Sequence, residues 1–132
     1  MVVRVRVIRH RKPIENTLDD ELEWLCSSLG FCEPIDRDKT AIAIFKKLME
    51  SSHHGEPLRS DDISEGIGKS RGAVVNHLNK LISSGLVVRK KNRYELREQT
   101  LEQTIRELRR DMERMLDDME ETAKEIDKRF RL

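Results

Sequence analysis

SDDISEGIGKSRGAVVNHLNKLISSGLVVRKKNRYEL, residues 60–96, reads as a helix, a glycine turn, a second helix and two short basic strands. Ser60 can accept a hydrogen bond from the free amides of a helix running from Asp61 to about Gly66, and Asp61 and Asp62 add negative charge where the helix dipole is positive. Ile63 and Ile67 give that helix one apolar face. Gly66, Ile67 and Gly68 then interrupt it, because glycine adopts the backbone angles of a tight turn. A second helix is predicted from Ser70 to Ser83. On it Ala73, Val74, Leu78, Leu81 and Ile82 recur at steps of three and four and form a core-facing stripe. Gly85 follows as a terminator.

Leu86 to Lys90 and Arg93 to Leu96 are rich in β-branched and aromatic residues, with Lys91 and Asn92 where a two-residue hairpin turn belongs. The order helix, turn, helix, hairpin is that of a winged helix-turn-helix. Ser70, Arg71, Gly72, Val75, Asn76 and Asn79 are left on the outer face of the second helix. Those side chains suit a major groove: Asn pairs with an adenine edge, Arg with a guanine edge, and Val touches a thymine methyl. Lys69 and Lys80 can reach phosphates. Gly72 costs about 1 kcal/mol relative to Ala inside a helix, and close approach of a duplex and simple tolerance explain it equally well. Arg89, Lys90, Lys91 and Arg93 gather at the hairpin tip, where they suit backbone phosphates or a minor groove. The same charges would also shield an edge strand from pairing with other chains.

The run SRGAVVNHLNKLISSGLV resembles the recognition helix and following turn of ArsR-like and MarR-like winged-helix transcriptional regulators of prokaryotes. There a Ser, a polar pair, Ala-Val and His-Leu precede Leu and Gly-Leu-Val. The likeness covers roughly residues 40–97. It implies that Ser70, Arg71, Gly72, Val75 and Asn76 face DNA and that His77 lies at the junction with the core. The cysteine-rich metal motif of metal-sensing members is absent, so metal sensing of that type is not implied.

The chain has 132 residues with a formal net charge of +1, 36% hydrophobic and 39% charged. The near-neutral total conceals segregation. Residues 67–98 hold eight Lys and Arg against two Asp and Glu, a net of +6, whereas residues 13–38 hold one against eight. A local basic face is what nucleic acid requires, and it coincides with the second helix and the hairpin. No eighteen-residue apolar run and no signal-like N-terminus exist, so a cytoplasmic location away from membranes is expected. Cys26 and Cys32 are too few for a disulfide framework, and buried reduced thiols are the expectation. His53 and His54 are read as an exposed loop pair. No metal and no cofactor is expected.

Three regions are predicted. Residues 1–38 form a basic arm or strand, in which Val3, Val5 and Val7 alternate with Arg4 and Arg6, followed by an acidic helix over 17–29. That helix is capped by Thr17, carries Leu18, Leu22, Leu25 and Leu29 as a stripe with Trp24 beside it, and ends at Gly30. Residues 39–98 form the winged domain, with a first helix over 39–51 built on Ile42, Phe45, Leu48 and Met49, and a one-bridge strand at Leu58 and Arg59. Residues 99–132 contain no Gly or Pro and form one long helix. Leu101, Ile105, Leu108, Met112, Met115, Met119 and Ile126 recur along it as a coiled-coil seam, which Leu116, Ala123 and Phe130 widen. Leaving such a stripe in water forfeits on the order of 10 kcal/mol, so a homodimer is expected.

The fold class is therefore mainly α: a winged helix-turn-helix with a short hairpin, an additional N-terminal strand and helix, and a long C-terminal helix. The function expected is a dimeric, sequence-specific regulator of transcription on double-stranded DNA. The rival is a winged-helix interaction or architectural module. An enzyme is not expected, because no phosphate loop, metal-ligand spacing or nucleophile arrangement occurs. Whether a small-molecule effector exists is left open.

Overall fold

A computed structural model of the chain describes residues 7–9, 11–12, 17–30 and 39–131. Thr17 opens the first helix, α1 (Leu18–Ser28), by accepting a hydrogen bond from the Asp20 amide at 3.2 Å. Leu22 and Cys26 are its buried apolar residues, with Trp24, Leu25 and Leu29 half-buried. Leu18, expected in the stripe, is 62% exposed. It stands in the first turn, at the edge of an open cleft shared with Trp24, Met49 and Leu101. Val3, Val5 and Cys32 lie outside the described residues. Val7 to Arg9 are not in a strand, although the Ile8 amide donates to the Ser28 carbonyl at 2.8 Å and ties the N-terminal segment to the end of α1.

The helix α2 (Thr40–His53) buries Ala41, Ile42, Ile44, Phe45 and Leu48 and forms the centre of the core. It runs two residues past Ser51, so His53 is helical, and only His54 closes it. Ser51 reads as the end of the helix and Ser52 as the start of a loop in the sequence, but both are helical and buried. Ser51 Oγ donates to the Leu48 carbonyl at 3.1 Å, while Ser52 Oγ accepts from the Leu96 amide at 3.0 Å. Lys46 on α2 is paired with Asp19 on α1, and that contact holds the Asp19 carboxyl below its usual range.

The winged domain continues through β1 (Leu58–Arg59), α3 (Ser60–Ile67), α4 (Arg71–Ser83), β2 (Val87–Lys90) and β3 (Arg93–Leu96). The sheet is antiparallel, ordered β1-β3-β2. Leu58 pairs with Tyr94, and Lys90 with Arg93 across a two-residue turn, as the sequence predicts. Ile63, Val74, Leu78, Leu81, Leu86, Val87, Tyr94 and Leu96 join Leu22, Cys26 and the α2 residues in one cluster.

The last helix is α5 (Leu101–Arg129). Thr100 caps it through the Gln103 amide at 3.1 Å. Its 29 residues span about 43 Å at 1.5 Å per residue. Leu108 is buried in the cluster, and Leu101 and Ile105 pack against it. An ionic clasp fixes the helix to the base of the hairpin. Arg97 pairs with Asp111, one of its two bonds being Nη2 to Oδ1 at 3.1 Å, and Arg114 also reaches Asp111. Beyond Met115 every described residue of α5 is exposed.

Candidate nucleic-acid interface

Two short-range devices aim the helix pair. Asp62 accepts from the Arg59 amide at 3.1 Å, so the start of α3 is closed by the Asp62 carboxylate. The cap expected at Ser60 is not used; Ser60 is the first helical residue and is buried. At the other end Gly68 sits at φ 68, a left-handed conformation that costs L side chains energy, and it turns the chain toward α4. There Ser70 is the cap, accepting from the Ala73 amide at 3.2 Å. Val74, Leu78 and Leu81 lock α4 onto the core.

The outer face of α4 follows from that locking. Ser70, Arg71, Gly72, Asn76, Asn79 and Lys80 are exposed, as is Lys69 before them, and Val75 is half-buried. The side chains of Asn76, Asn79 and Lys80 have no partner among the described residues. Ala73, expected on the core stripe, is exposed instead. It lies three residues before Asn76 and seven before Lys80, the helical spacing of a common face, and that spacing was the signal for its true side. His77 is half-buried. A Cβ added at Gly72 would meet nothing within 4 Å, so the chain's own packing does not require glycine there.

Arg71 is not idle. Its Nε stands 3.4 Å from the Asp61 carboxylate, with both side chains largely in water. The acidic first turn of α3 therefore does two things: it suits the helix dipole, and it holds a positive side chain beside the outer face of α4. The sequence showed the first role and not the second, because the contact joins two helices across the turn.

The hairpin cations divide. Arg89 donates from Nε to the Lys91 carbonyl at 2.9 Å and lies 5.6 Å from the centre of the Tyr94 ring. Lys90 pairs with Glu95 at 3.4 Å, and Arg93 donates to the Pro57 carbonyl at 3.2 Å. Lys91 alone points from the tip without a partner among the described residues, at φ 58. Arg89 and Arg93 thus brace the wing while Lys91 extends it. On α5, Leu101, Ile105 and Leu108 are committed to the chain's own core, Met112 and Met115 are half-buried, and Met119 and Ile126 are exposed.

This arrangement exposes a helix carrying Arg71 and Lys80 beside a hairpin carrying Arg89, Lys90, Lys91 and Arg93. Among the described residues no group of His, Cys, Asp and Glu is placed to hold a metal ion, and no helix is long and apolar enough to cross a membrane. Residues 38–88 match the family model described as bacterial regulatory protein, arsR family. That span covers α2 through the start of β2 and leaves α1, β3 and α5 outside. No curated protein and no solved structure matches the chain.

Proposed function

We propose, from the match of residues 38–88 to the arsR-family model, that the chain is an ArsR-like winged helix-turn-helix regulator of transcription that binds DNA, and that it acts as a homodimer reading an inverted repeat. In this reading the helix from Ser70 to Ser83 enters the major groove. Ser70, Arg71, Gly72, Val75, Asn76 and Asn79 face the base edges, with Arg71 and the two Asn donating to them and Val75 against a thymine methyl, and Lys69 and Lys80 contact phosphates. The wing from Leu86 to Leu96 lies on the backbone or in the minor groove, with Lys91 leading. Of the seam expected from Leu101 to Ile126, Leu101, Ile105 and Leu108 are taken up by the chain's own core, and Met112, Met115, Met119 and Ile126 carry the contact between copies. The domain limits 1–38, 39–98 and 99–132 belong to the same proposal. The observation that carries it is the open face of α4: Asn76, Asn79 and Lys80 are exposed and without a partner among the described residues, while the apolar side of the same helix is buried.

Two-fold symmetry would present two such helices to half-sites about 34 Å apart or a multiple of that. The test is a selection of binding sites from random duplexes, followed by anisotropy titrations with Arg71→Ala and Asn76→Ala. Each substitution is expected to cost about 1–3 kcal/mol and to relax preference at one base position. Unchanged affinity and preference in both variants would overturn the assignment of the reading face.

A further inference from the structure

The long helix changes its surroundings halfway along. Leu101, Ile105, Leu108, Met112, Leu116, Met119, Ala123, Ile126 and Phe130 follow one another at steps of four and three residues, which alternate strictly from Met112 to Phe130. At 100° per residue they fall within about 80° of the helix circumference, one straight stripe. Its first third is buried in the chain's own core. Its distal part is open: Leu116 is 59% exposed, Met119 63%, Ile126 49% and Phe130 73%. Met115 sits to one side of this line, beside Val87, Val88 and Arg97 in a groove at the base of the hairpin. A shallow apolar cleft of about 360 Å³, lined by Leu29, Leu108, Met112 and Leu116, marks where the stripe leaves the core.

The residues bordering the open part differ on its two sides. Next to Met112, Met119 and Ile126 come Glu113, Glu120 and Asp127, all acidic. Next to Leu116, Ala123 and Phe130, on the opposite border, come Met115, Thr122 and Arg129. In a two-stranded coil these borders meet differently in the two possible orientations. Antiparallel helices set each border against its own copy, so Glu113 would face Asp127 and Glu120 would face Glu120, three like-charged contacts. Parallel helices set the acidic border against the mixed one. Met115 then stands beside Glu120, and Thr122 beside Asp127, and no acidic pair forms.

We propose that residues 112–130 pair in parallel and in register with the same residues of a second copy, along a seam of Met112, Leu116, Met119, Ala123, Ile126 and Phe130. This rests on the homodimer reading above and adds to it the orientation of the tails. Both winged domains then leave the coil at the same end. The occupant is a second copy because residues 112–130 keep the alternating four-three spacing of a two-stranded seam, in line with the stripe packed in the core, and because their charged borders disfavour one orientation of like helices and suit the other.

The test uses single cysteine substitutions in the full chain, with the unsubstituted chain as control for Cys26 and Cys32, and sedimentation of each protein to establish its oligomeric state. Ile126→Cys under mild oxidation is expected to give a reducible band at twice the monomer mass, because like positions adjoin in a parallel pair. In an antiparallel pair centred near residue 121 those positions would lie about 15 Å apart along the axis, and the link would form only in a mixture of Leu116→Cys with Ile126→Cys. A dimer that links only in the mixture overturns the orientation and leaves the homodimer reading standing. A dimer that links in neither overturns the tail as its contact. A monomer in sedimentation overturns both.

Discussion

At the scale of single residues, two positions have roles that separate cleanly by mutation: Gly72 on the outer face of α4 and Asp61 beside it on α3. Gly72 stands in the first turn with open space where a Cβ would go, so Gly72→Ala is expected to raise thermal stability by up to about 1 kcal/mol. If a duplex backbone approaches that position, the same variant binds DNA more weakly; melting and anisotropy on one preparation measure both. A more stable protein with unchanged affinity would remove Gly72 from the interface. Asp61 poses the opposite case. Its exposed pair with Arg71 at 3.4 Å is worth at most about 1 kcal/mol, but its charge stands beside the reading face. Asp61→Asn is expected to tighten binding to all duplexes alike, measured as a parallel rise in affinity for specific and random sequences. A change confined to one base position would mean that Asp61 orients Arg71. The exposure of Asn76 and Asn79 was legible from the sequence because helical spacing alone sets them opposite Val74, Leu78 and Leu81, whereas Arg71, seven residues before Leu78, is exposed because it opens the helix. The Asp61 contact was not, since it depends on the angle between two helices.

At the scale of elements, what the sequence disclosed tracks how local each cause is. The hairpin register could be read because Lys91 and Asn92 sit between two β-rich runs, and Lys90 does pair with Arg93. The start of α3 was misread at Ser60 because the Asp62 carboxylate, three residues on, satisfies the Arg59 amide instead. The end of α2 was set too early at Ser51, because the burial of Ser51 and Ser52 comes partly from β3, over forty residues away. The attachment of α5 to the wing is another distant effect. The Arg97 hydrogen bond holds the Asp111 carboxyl below its usual range, and a carboxyl lowered on folding stabilises the fold above its unfolded pKa. That contribution is lost as pH falls through the folded value, a window lying below about pH 4. Asp111→Asn is therefore expected to cost about 1–3 kcal/mol at neutral pH. The difference from the parent should shrink toward zero in strong acid, as followed by urea unfolding at a series of pH values. A loss independent of pH would assign Asp111 a packing role alone.

At the scale of the whole molecule, the proposed dimer would divide the labour of stability and assembly between the two ends of α5. The proximal turns hold up the winged domain through Leu108 and the Arg97–Asp111 clasp. The distal stripe contributes nothing to the isolated chain, since Met119 and Ile126 touch water. A charge introduced there should leave the fold alone and act only on association. Met119→Glu is thus expected to unfold at the parent's temperature when both are dilute, yet to lose the rise of melting temperature with concentration that a dimer shows. Its effect on DNA follows from linkage of two modules: once one half of a dimer is bound, the second half binds at a high effective concentration, worth about 10²–10⁴-fold in affinity. Met119→Glu should therefore bind a duplex carrying one half-site as the parent does and bind the inverted repeat about 10²-fold or more weakly. Equal losses on both duplexes would mean that residue 119 itself meets DNA. No loss on either would separate the long helix from operator recognition and leave its stripe to another partner.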